Sequence, residues 1–339
     1  MTARASRRER ACAPHRNPSA SPRPPRPRVS VKVLVSDPLS ERAVAILRET
    51  PGIRVDEYYG LSETELLPLV SDIDAWVVRG ATKVTRRLIE AAPKLRWVAR
   101  AGAGIDNIDG EAARERGVGV LNVPGANAVA VAELVFGLLL GLFRQIPAAD
   151  RSLKRGEWDK SRFKGRELRG KTVGIVGLGQ IGRAVAQRAI GFEMKCVGYD
   201  PLLPDDTMRD FEVESLPLND LLPRSEILTL HVPLSRETRG MIGAAEISRL
   251  PRGAVLVNVA RGGPLDEGAV LEALDQGRLA GAVFDVFEEE PPRSSPLPLR
   301  DDVVATPHIG AATVEAQEKV GEEIVKLLLG KLRESGAIR

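Results

Sequence analysis

The feature that most restricts how this chain can fold is an apolar run, Val173-Gly-Ile-Val, that leads into Gly177-Leu-Gly179-Gln-Ile-Gly182 and then into a helical pattern through Ala184–Ala189. Three glycines at this spacing between a strand and a helix have separate jobs. Gly177 permits a tight turn, Gly179 lets the backbone approach a pyrophosphate, and Gly182 lets the helix pack closely on the strand. The anion would rest on the helix N-terminus, where free N–H groups and the helix dipole favour negative charge. Asp200 closes the next strand, 18 residues beyond Gly182. A carboxylate there accepts both ribose hydroxyls and repels a 2′-phosphate. No Lys or Arg directly follows Asp200, so the pattern predicts NAD rather than NADP.

Around this motif, short β-branched runs alternate with amphipathic stretches, the signature of parallel βαβ units. In the first half the expected strands are Val31–Ser36, Ala75–Val78, Trp97–Ala99 and Val118–Val120. Helical patterns over Thr64–Val70, Thr85–Ala92 and Gly110–Arg116 lie between them. In the second half they are Thr172–Val176, Lys195–Tyr199, Ile227–Leu230, Ala254–Asn258, Ala280–Phe284 and Val303–Ala305. The fold class is therefore α/β, with two Rossmann-like doubly wound parallel sheets and an active-site cleft between them. The predicted units are a substrate and catalytic domain of residues 31–124 plus 312–339, the last helix returning to the first domain, and an NAD-binding domain of residues 125–311.

Composition narrows the partners. The net charge of +3 conceals a tail, residues 1–30, with eight Arg against one Glu and six Pro. That segment carries +7 and reads as disordered, because proline-rich charged sequence cannot bury enough apolar surface to order itself. The remainder is at −4, which makes nucleic acid an unlikely partner for the folded body. The two cysteines, Cys12 in the tail and Cys196 on a strand, build neither a disulfide framework nor a metal cage, so a reducing, cytoplasmic setting and no metal are expected. The most apolar stretch, Ala128–Phe143, has 16 residues. A membrane span needs about 20, so this stretch reads as a buried helix capped by Asn127, with no membrane partner.

Alcohol oxidation needs a base for the hydroxyl proton and a cation for the carboxylate or the developing carbonyl. Of the three histidines, His15 lies in the tail and His231 ends a strand in Leu230-His-Val-Pro233, where a structural role is expected. His308, in Thr306-Pro-His-Ile-Gly-Ala311, follows the last strand at its carboxyl end, where open α/β sheets bind ligands.

Three segments resemble, in order and spacing, the signatures of the D-2-hydroxyacid dehydrogenases: Asn258-Val-Ala-Arg261-Gly-Gly, Asp285-Val-Phe-Glu-Glu-Glu290-Pro-Pro and Thr306-Pro-His308-Ile-Gly. The likeness runs from about Val31 to Leu329 and leans towards the phosphoglycerate dehydrogenase branch. Val78-Arg-Gly-Ala-Thr-Lys-Val-Thr85, Arg100-Ala-Gly-Ala-Gly-Ile-Asp-Asn107 and Arg144-Gln-Ile-Pro147 carry that leaning. The resemblance implies that Arg261 binds the substrate carboxylate and oxygen, that His308 is the acid/base, and that Glu290 pairs with it. It implies further that Thr82, Gln180, Ile181, Val232, Val259, Ala260, Asp285 and Gly310 join Gly177, Gly179, Gly182 and Asp200 around NAD, with Asp285 near the nicotinamide amide. Backbone at Ala103 and Gly104 would hold the carboxylate. Arg79 and Asn127 would face the phosphate end, and Arg144 would reach it from the partner in a homodimer. Gly80 stands where that branch has a serine. Because the sequence ends at Arg339, feedback by serine through a C-terminal regulatory domain is not expected. The alternatives are a glyoxylate or hydroxypyruvate reductase, with the same chemistry, and a non-catalytic NAD-sensing scaffold like the corepressors that resemble this family.

Overall fold

A computed structural model describes residues 30–338 and contains two parallel sheets. The expected disorder of the tail, with Cys12 and His15, lies outside the described residues apart from Ser30. The first sheet holds β1 (Val31–Val35), β2 (Ile53–Glu57), β3 (Ala75–Val78), β4 (Trp97–Arg100) and β5 (Gly119–Asn122) in the order β2-β1-β3-β4-β5. The second holds β6 (Thr172–Val176), β7 (Lys195–Tyr199), β8 (Glu214–Ser215), β9 (Ile227–Leu230), β10 (Ala254–Asn258), β11 (Leu279–Phe284) and β12 (Val303–Ala305). Their order is β12-β11-β10-β9-β6-β7-β8.

Both sheets are covered on both faces, which is why their strands are apolar without alternation: β3, β9 and β10 are buried at every position. On the first sheet Val33, Val35, Val77 and Ala99 pack under Val320, Ile324 and Leu328 of the helix Val314–Glu334. The C-terminal helix thus closes the first sheet from the far end of the chain. Leu34, Trp76, Val78 and Val98 fill the other face. On the second sheet Val173, Ile175, Val257 and Val283 meet the helices Ala128–Phe143 and Gln180–Gly191, and Leu228, Leu230, Leu256 and Phe284 form the opposite core.

In each sheet the strand order reverses once, between β1 and β3 and between β6 and β9, and a crevice opens at the carboxyl ends of strands at such a point. The loops after these four strands therefore start at residues 36, 79, 177 and 231. Among the described residues, no single helix is long and apolar enough to cross a membrane.

Four local readings change. The strand β2 is absent from the pattern because it is an edge strand, Ile-Arg-Val-Asp-Glu, whose charged side chains pair with Lys32 and Arg48 rather than pack. The two-residue β8 is too short to leave a signal. The strand β5 starts one residue and ends two residues later than Val118–Val120, since Gly119 pairs with Trp97 and lies against the indole; a Cβ at Gly119 would stand 2.1 Å from a ring carbon. Asn127 occupies the N-cap of Ala128–Phe143 but makes no side-chain capping bond. Its φ of −101° and ψ of 8° are not the extended conformation that aims a cap side chain at the first turn.

Candidate active site

The glycine loop leaves β6 at the larger sheet's switch point. Gly177 has φ +89°, a conformation that L side chains rarely adopt, and a Cβ there would stand 2.7 Å from the His231 carbonyl and 2.9 Å from Val232. A Cβ at Gly182 would stand 2.0 Å from the Gly177 carbonyl, so the helix Gln180–Gly191 can approach the strand only with glycine here. Above Gly179 a Cβ would meet no protein atom within 4 Å. The space is open at the helix N-terminus, which is the cradle a pyrophosphate needs. Asp200 is braced for its role. Its Oδ2 accepts from Leu178 N at 2.8 Å and its Oδ1 from Leu202 N at 2.9 Å, which ties the carboxylate to the glycine loop. These residues fit a dinucleotide with free ribose hydroxyls.

The segment after β12 carries His308 in a left-handed backbone conformation, φ 52°, uncommon for a residue other than glycine. A buried carboxylate holds it there. Asp285 is 1% exposed; its Oδ1 accepts from Thr306 Oγ1 at 2.6 Å and Ile309 N at 2.8 Å, its Oδ2 from Gly310 N at 2.8 Å, and its carbonyl from His308 N at 2.8 Å. Glu290 then meets His308, Oε2 to Nδ1 at 2.8 Å, while its Oε1 accepts from Phe287 N at 3.2 Å. With Nδ1 occupied, Nε2 is the free edge of the imidazole. The hydrogen bond with Glu290 raises the His308 pKa against the opposing effect of burial, and the charges of Glu290 and Asp285 add to it. Burial pushes the Glu290 carboxyl up, but the bond and charge of His308, the Phe287 N–H and Arg261 outweigh it and leave Glu290 below its ordinary value.

Arg261 follows β10 and reaches the loop after β4, donating from Nε to Asp106 Oδ2 at 2.9 Å and from Nη1 to the Ala260 carbonyl at 2.6 Å. It crosses directly over Gly104, where a Cβ would stand 1.8 Å from Nη2. Two more arginines lie in this region. Arg100 donates from Nε to the Arg79 carbonyl at 3.1 Å, and its guanidinium lies over Gly102. Burial, then the charges of Arg261 and Arg79, hold its pKa below the ordinary arginine value. Among the described residues neither Arg79 nor Arg100 has an ion-pair partner.

Residues 136–310 match the family model described as "D-isomer specific 2-hydroxyacid dehydrogenase, NAD binding domain". A hydroxypyruvate reductase of Thermotoga maritima is 46% identical over 89% of this chain and 98% of its own length. The chain belongs to the D-isomer specific 2-hydroxyacid dehydrogenases. A D-3-phosphoglycerate dehydrogenase of Methanocaldococcus jannaschii is 50% identical over 90% of this chain but 59% of its own, so the chain spans little more than half the length of that relative. Among solved structures, a D-lactate dehydrogenase of Aquifex aeolicus complexed with NAD and lactic acid superposes with a TM-score of 0.79 at 27% identity, covering 89% of this chain and 96% of that one.

In this member of the D-2-hydroxyacid dehydrogenases the expected residues separate into groups. Arg261, Glu290 and His308 come together, since the Arg261 charge acts on both members of the pair. Val232 overhangs Gly177, Ile181 lies in the first turn of the following helix, and Val259 and Ala260 lie buried at the carboxyl end of β10. Gln180 packs against Gly125. Thr82 and Asp285, expected around NAD, spend their polar atoms inside the protein. Thr82 donates its hydroxyl to Asp37 at 2.7 Å and its N–H at 3.1 Å, locking the β1 and β3 loops at the smaller sheet's switch point. Arg79 donates its N–H to Asp37 at 2.6 Å, leaving its guanidinium a single weak contact with the Pro38 carbonyl at 3.4 Å. Asn122 Nδ2 donates to the Ala103 carbonyl at 2.5 Å, shaping the loop over which Arg261 passes. Asn127 presents a buried Oδ1 without a partner. Arg144 caps the far end of the same helix. About 25 Å of helix, at 1.5 Å per residue, separates it from Asn127, so it does not join the site within its own chain. Glu288 and Glu289 are exposed neighbours. Burial pushes the His231 pKa down to about 3, and its Nε2 meets Thr229 Oγ1 at 2.9 Å. Three residues here were given no role from the sequence: Asp37, and Arg100 and Asp106 of the quoted segment Arg100–Asn107. Among the described residues, no group of three or more His, Cys, Asp or Glu is placed to hold a metal.

Proposed function

We propose that this chain interconverts a D-2-hydroxy acid and its 2-keto acid with NAD, and that the pair is D-3-phosphoglycerate and 3-phosphohydroxypyruvate, the entry to serine synthesis. The observation that carries the reaction is the Glu290–His308 pair, held by Asp285 on a strained loop beside Arg261. The Arg261 guanidinium would take the substrate carboxylate and the C2 oxygen. The protonated Nε2 of His308 gives its proton to that oxygen during ketone reduction and recovers it during oxidation, and Glu290 stabilises the protonated ring. NAD, when bound, supplies or accepts the hydride at C2. The proposed boundaries, 31–124 plus 312–339 for the substrate domain and 125–311 for the NAD domain, place this site between them. Hinges near Pro124 and Pro307 would let closure exclude water.

The phosphorylated substrate is favoured by Arg79 and Arg100, two guanidinium groups without ion-pair partners near Arg261. Arg100 is half-buried, and burial with the neighbouring charges of Arg261 and Arg79 holds its pKa down, so a bound phosphate would offset the repulsion among these cations. A second reading, hydroxypyruvate reductase, is favoured by the Thermotoga maritima relative, matched over 98% of its length. A homodimer, in which Arg144 serves the partner's site, and a cytoplasmic setting go with either; Cys196, the cysteine within the described residues, is buried and free.

Steady-state reduction of phosphohydroxypyruvate, hydroxypyruvate and glyoxylate with NADH, compared by kcat/KM, tests the reading. A preference for the phosphorylated acid of about ten-fold or more, equivalent to about 1.4 kcal/mol, supports the phosphate site. Equal or faster turnover of the others assigns the chain to the second reading, and no turnover of any leaves an NAD-binding scaffold. His308→Ala is expected to abolish turnover while leaving NAD affinity intact. Loss of both makes His308 structural.

A further inference from the structure

The ion pair that crosses the cleft uses the same guanidinium the substrate needs. Arg261 Nε donates to Asp106 Oδ2 at 2.9 Å, joining residues 155 positions apart on the two sheets' loops. Gly104 makes the geometry possible. A Cβ there would stand 1.8 Å from Arg261 Nη2 and 2.5 Å from Asp106 Oδ2, so carboxylate and guanidinium share the surface of one glycine. Nη1 is turned to the Ala260 carbonyl. A carboxylate grips a guanidinium best as a fork, through two parallel N–H bonds. With Nε on Asp106, the side-on fork of Nε and Nη2 is closed to a second carboxylate, while Nη1 spends one of its two N–H groups on Ala260. Asp106 is itself an exposed carboxylate.

We propose that Asp106 is an internal stand-in for the substrate carboxylate: it holds Arg261 across the substrate-free cleft and is displaced when a 2-keto acid binds. The inference rests on the reading of Arg261 as the carboxylate ligand. Two features suit the exchange. The pair is open to solvent, with side-chain exposures of 27% for Arg261 and 59% for Asp106, and pairs so exposed are weak enough to be replaced by a better-placed anion. Asp106 also places a negative charge among Arg79, Arg100 and Arg261, so the arginines repel one another less before substrate arrives.

The test is Asp106→Asn, read by KM and kcat for the preferred 2-keto acid and by the Kd of oxamate for the enzyme–NADH complex. Removing the competitor is expected to lower both KM and the oxamate Kd by about two- to five-fold, with kcat unchanged. Asp106→Glu retains wild-type values, and so does Glu111→Gln, which removes an equal charge from an exposed neighbouring position. A raised KM with lowered kcat in Asp106→Asn means that Asp106 positions Arg261 in the complex and is not displaced. Unchanged constants mean that the pair has no part in binding. Either overturns the proposal. Arg261→Gln separates the two layers: if that variant still binds oxamate, the carboxylate reading of Arg261 fails, whereas loss of oxamate binding beside a neutral Asp106→Asn refutes the stand-in alone.

Discussion

Gly179 and Gly182 stand three residues apart, at the N-cap and in the first turn of the helix Gln180–Gly191, and alanine at each should fail in opposite ways. At Gly182 the new methyl would lie 2.0 Å from the Gly177 carbonyl, backbone against backbone, so the helix Gln180–Gly191 must move off its strand. Overpacking of this kind costs about 1–3 kcal/mol, and a chain of this size loses roughly 2–4 °C in Tm for each of those. Gly182→Ala should therefore melt several degrees lower. At Gly179 the backbone, φ −63° and ψ −163°, is one alanine adopts, and the methyl meets no protein atom. Stability should hold, or rise slightly as the unfolded chain loses freedom. The methyl instead occupies the space where a pyrophosphate would sit on the helix N-terminus. Losing one charge-assisted hydrogen bond there costs about 1.5–3 kcal/mol, or roughly ten- to hundred-fold in NAD affinity. Thermal unfolding of the free protein and titration of NADH by fluorescence separate the two quantities. A Gly179→Ala protein that binds NADH as tightly as the parent would falsify the pyrophosphate cradle, and one that melts lower would refute the reading of open space above the loop.

Glu290→Gln removes the bond and charge that raise the His308 pKa, so that pKa should fall. Ketone reduction needs the protonated ring and is lost as pH rises through the pKa, whereas oxidation needs the neutral ring and appears there. In pH profiles of kcat/KM both limbs should move to lower pH, and limbs that stay in place would remove Glu290 from the proton path. Asp200→Ala should raise the ratio of NADPH to NADH use, because the carboxylate that repels a 2′-phosphate is gone; an unchanged ratio assigns the choice to another residue. Asp285→Asn turns an NH2 towards at least one donor of the 306–310 loop, stranding it at a cost of about 1–3 kcal/mol. Tm and kcat should fall together as His308 loses its strained backbone, and a variant with parental values of both would show that the loop is held by something else.

The fold was legible where burial on both faces forces unbroken apolar runs. Val173–Val176, Ile227–Leu230 and Ala254–Asn258 have no other stable use in a chain that also carries the glycine loop, and the structure places them side by side. The edges were not legible. β2 carries Arg54, Asp56 and Glu57 because an edge strand gains more from solvation and ion pairs than from packing, and such a sequence looks like a loop. Asn127 illustrates the limit of local rules. Asparagine before an apolar helix reads as a cap, yet here the Oδ1 is buried and unpaired. A buried polar atom without a partner costs about 1–3 kcal/mol, and such a cost is tolerated where a ligand completes the bond.

The site shows the same division at finer grain. His308 could be picked out because the chain has three histidines, and Arg261 and Glu290 because their segments resemble a family, but nothing in the spacing shows that Glu290 meets Nδ1 and leaves Nε2 free. Only a fold that brings the ends of β11 and β12 together does that. Asp285 is expected near the nicotinamide by resemblance, and its carboxylate also holds three donors of the loop that carries His308. A sequence cannot display this, because two of those donors are backbone N–H groups that every residue but proline possesses. Asp37 is hidden for the same reason: it takes the N–H groups of Arg79 and Thr82. Asp106 is hidden for another, because its partner lies 155 residues away and any exposed aspartate looks alike. Reactive side chains are thus visible by type, while the groups that hold them in register act through the backbone or across the cleft. Substitutions at Asp37, Asp106 and Asp285 are therefore expected to change how Arg261, Glu290 and His308 are held without altering those three side chains.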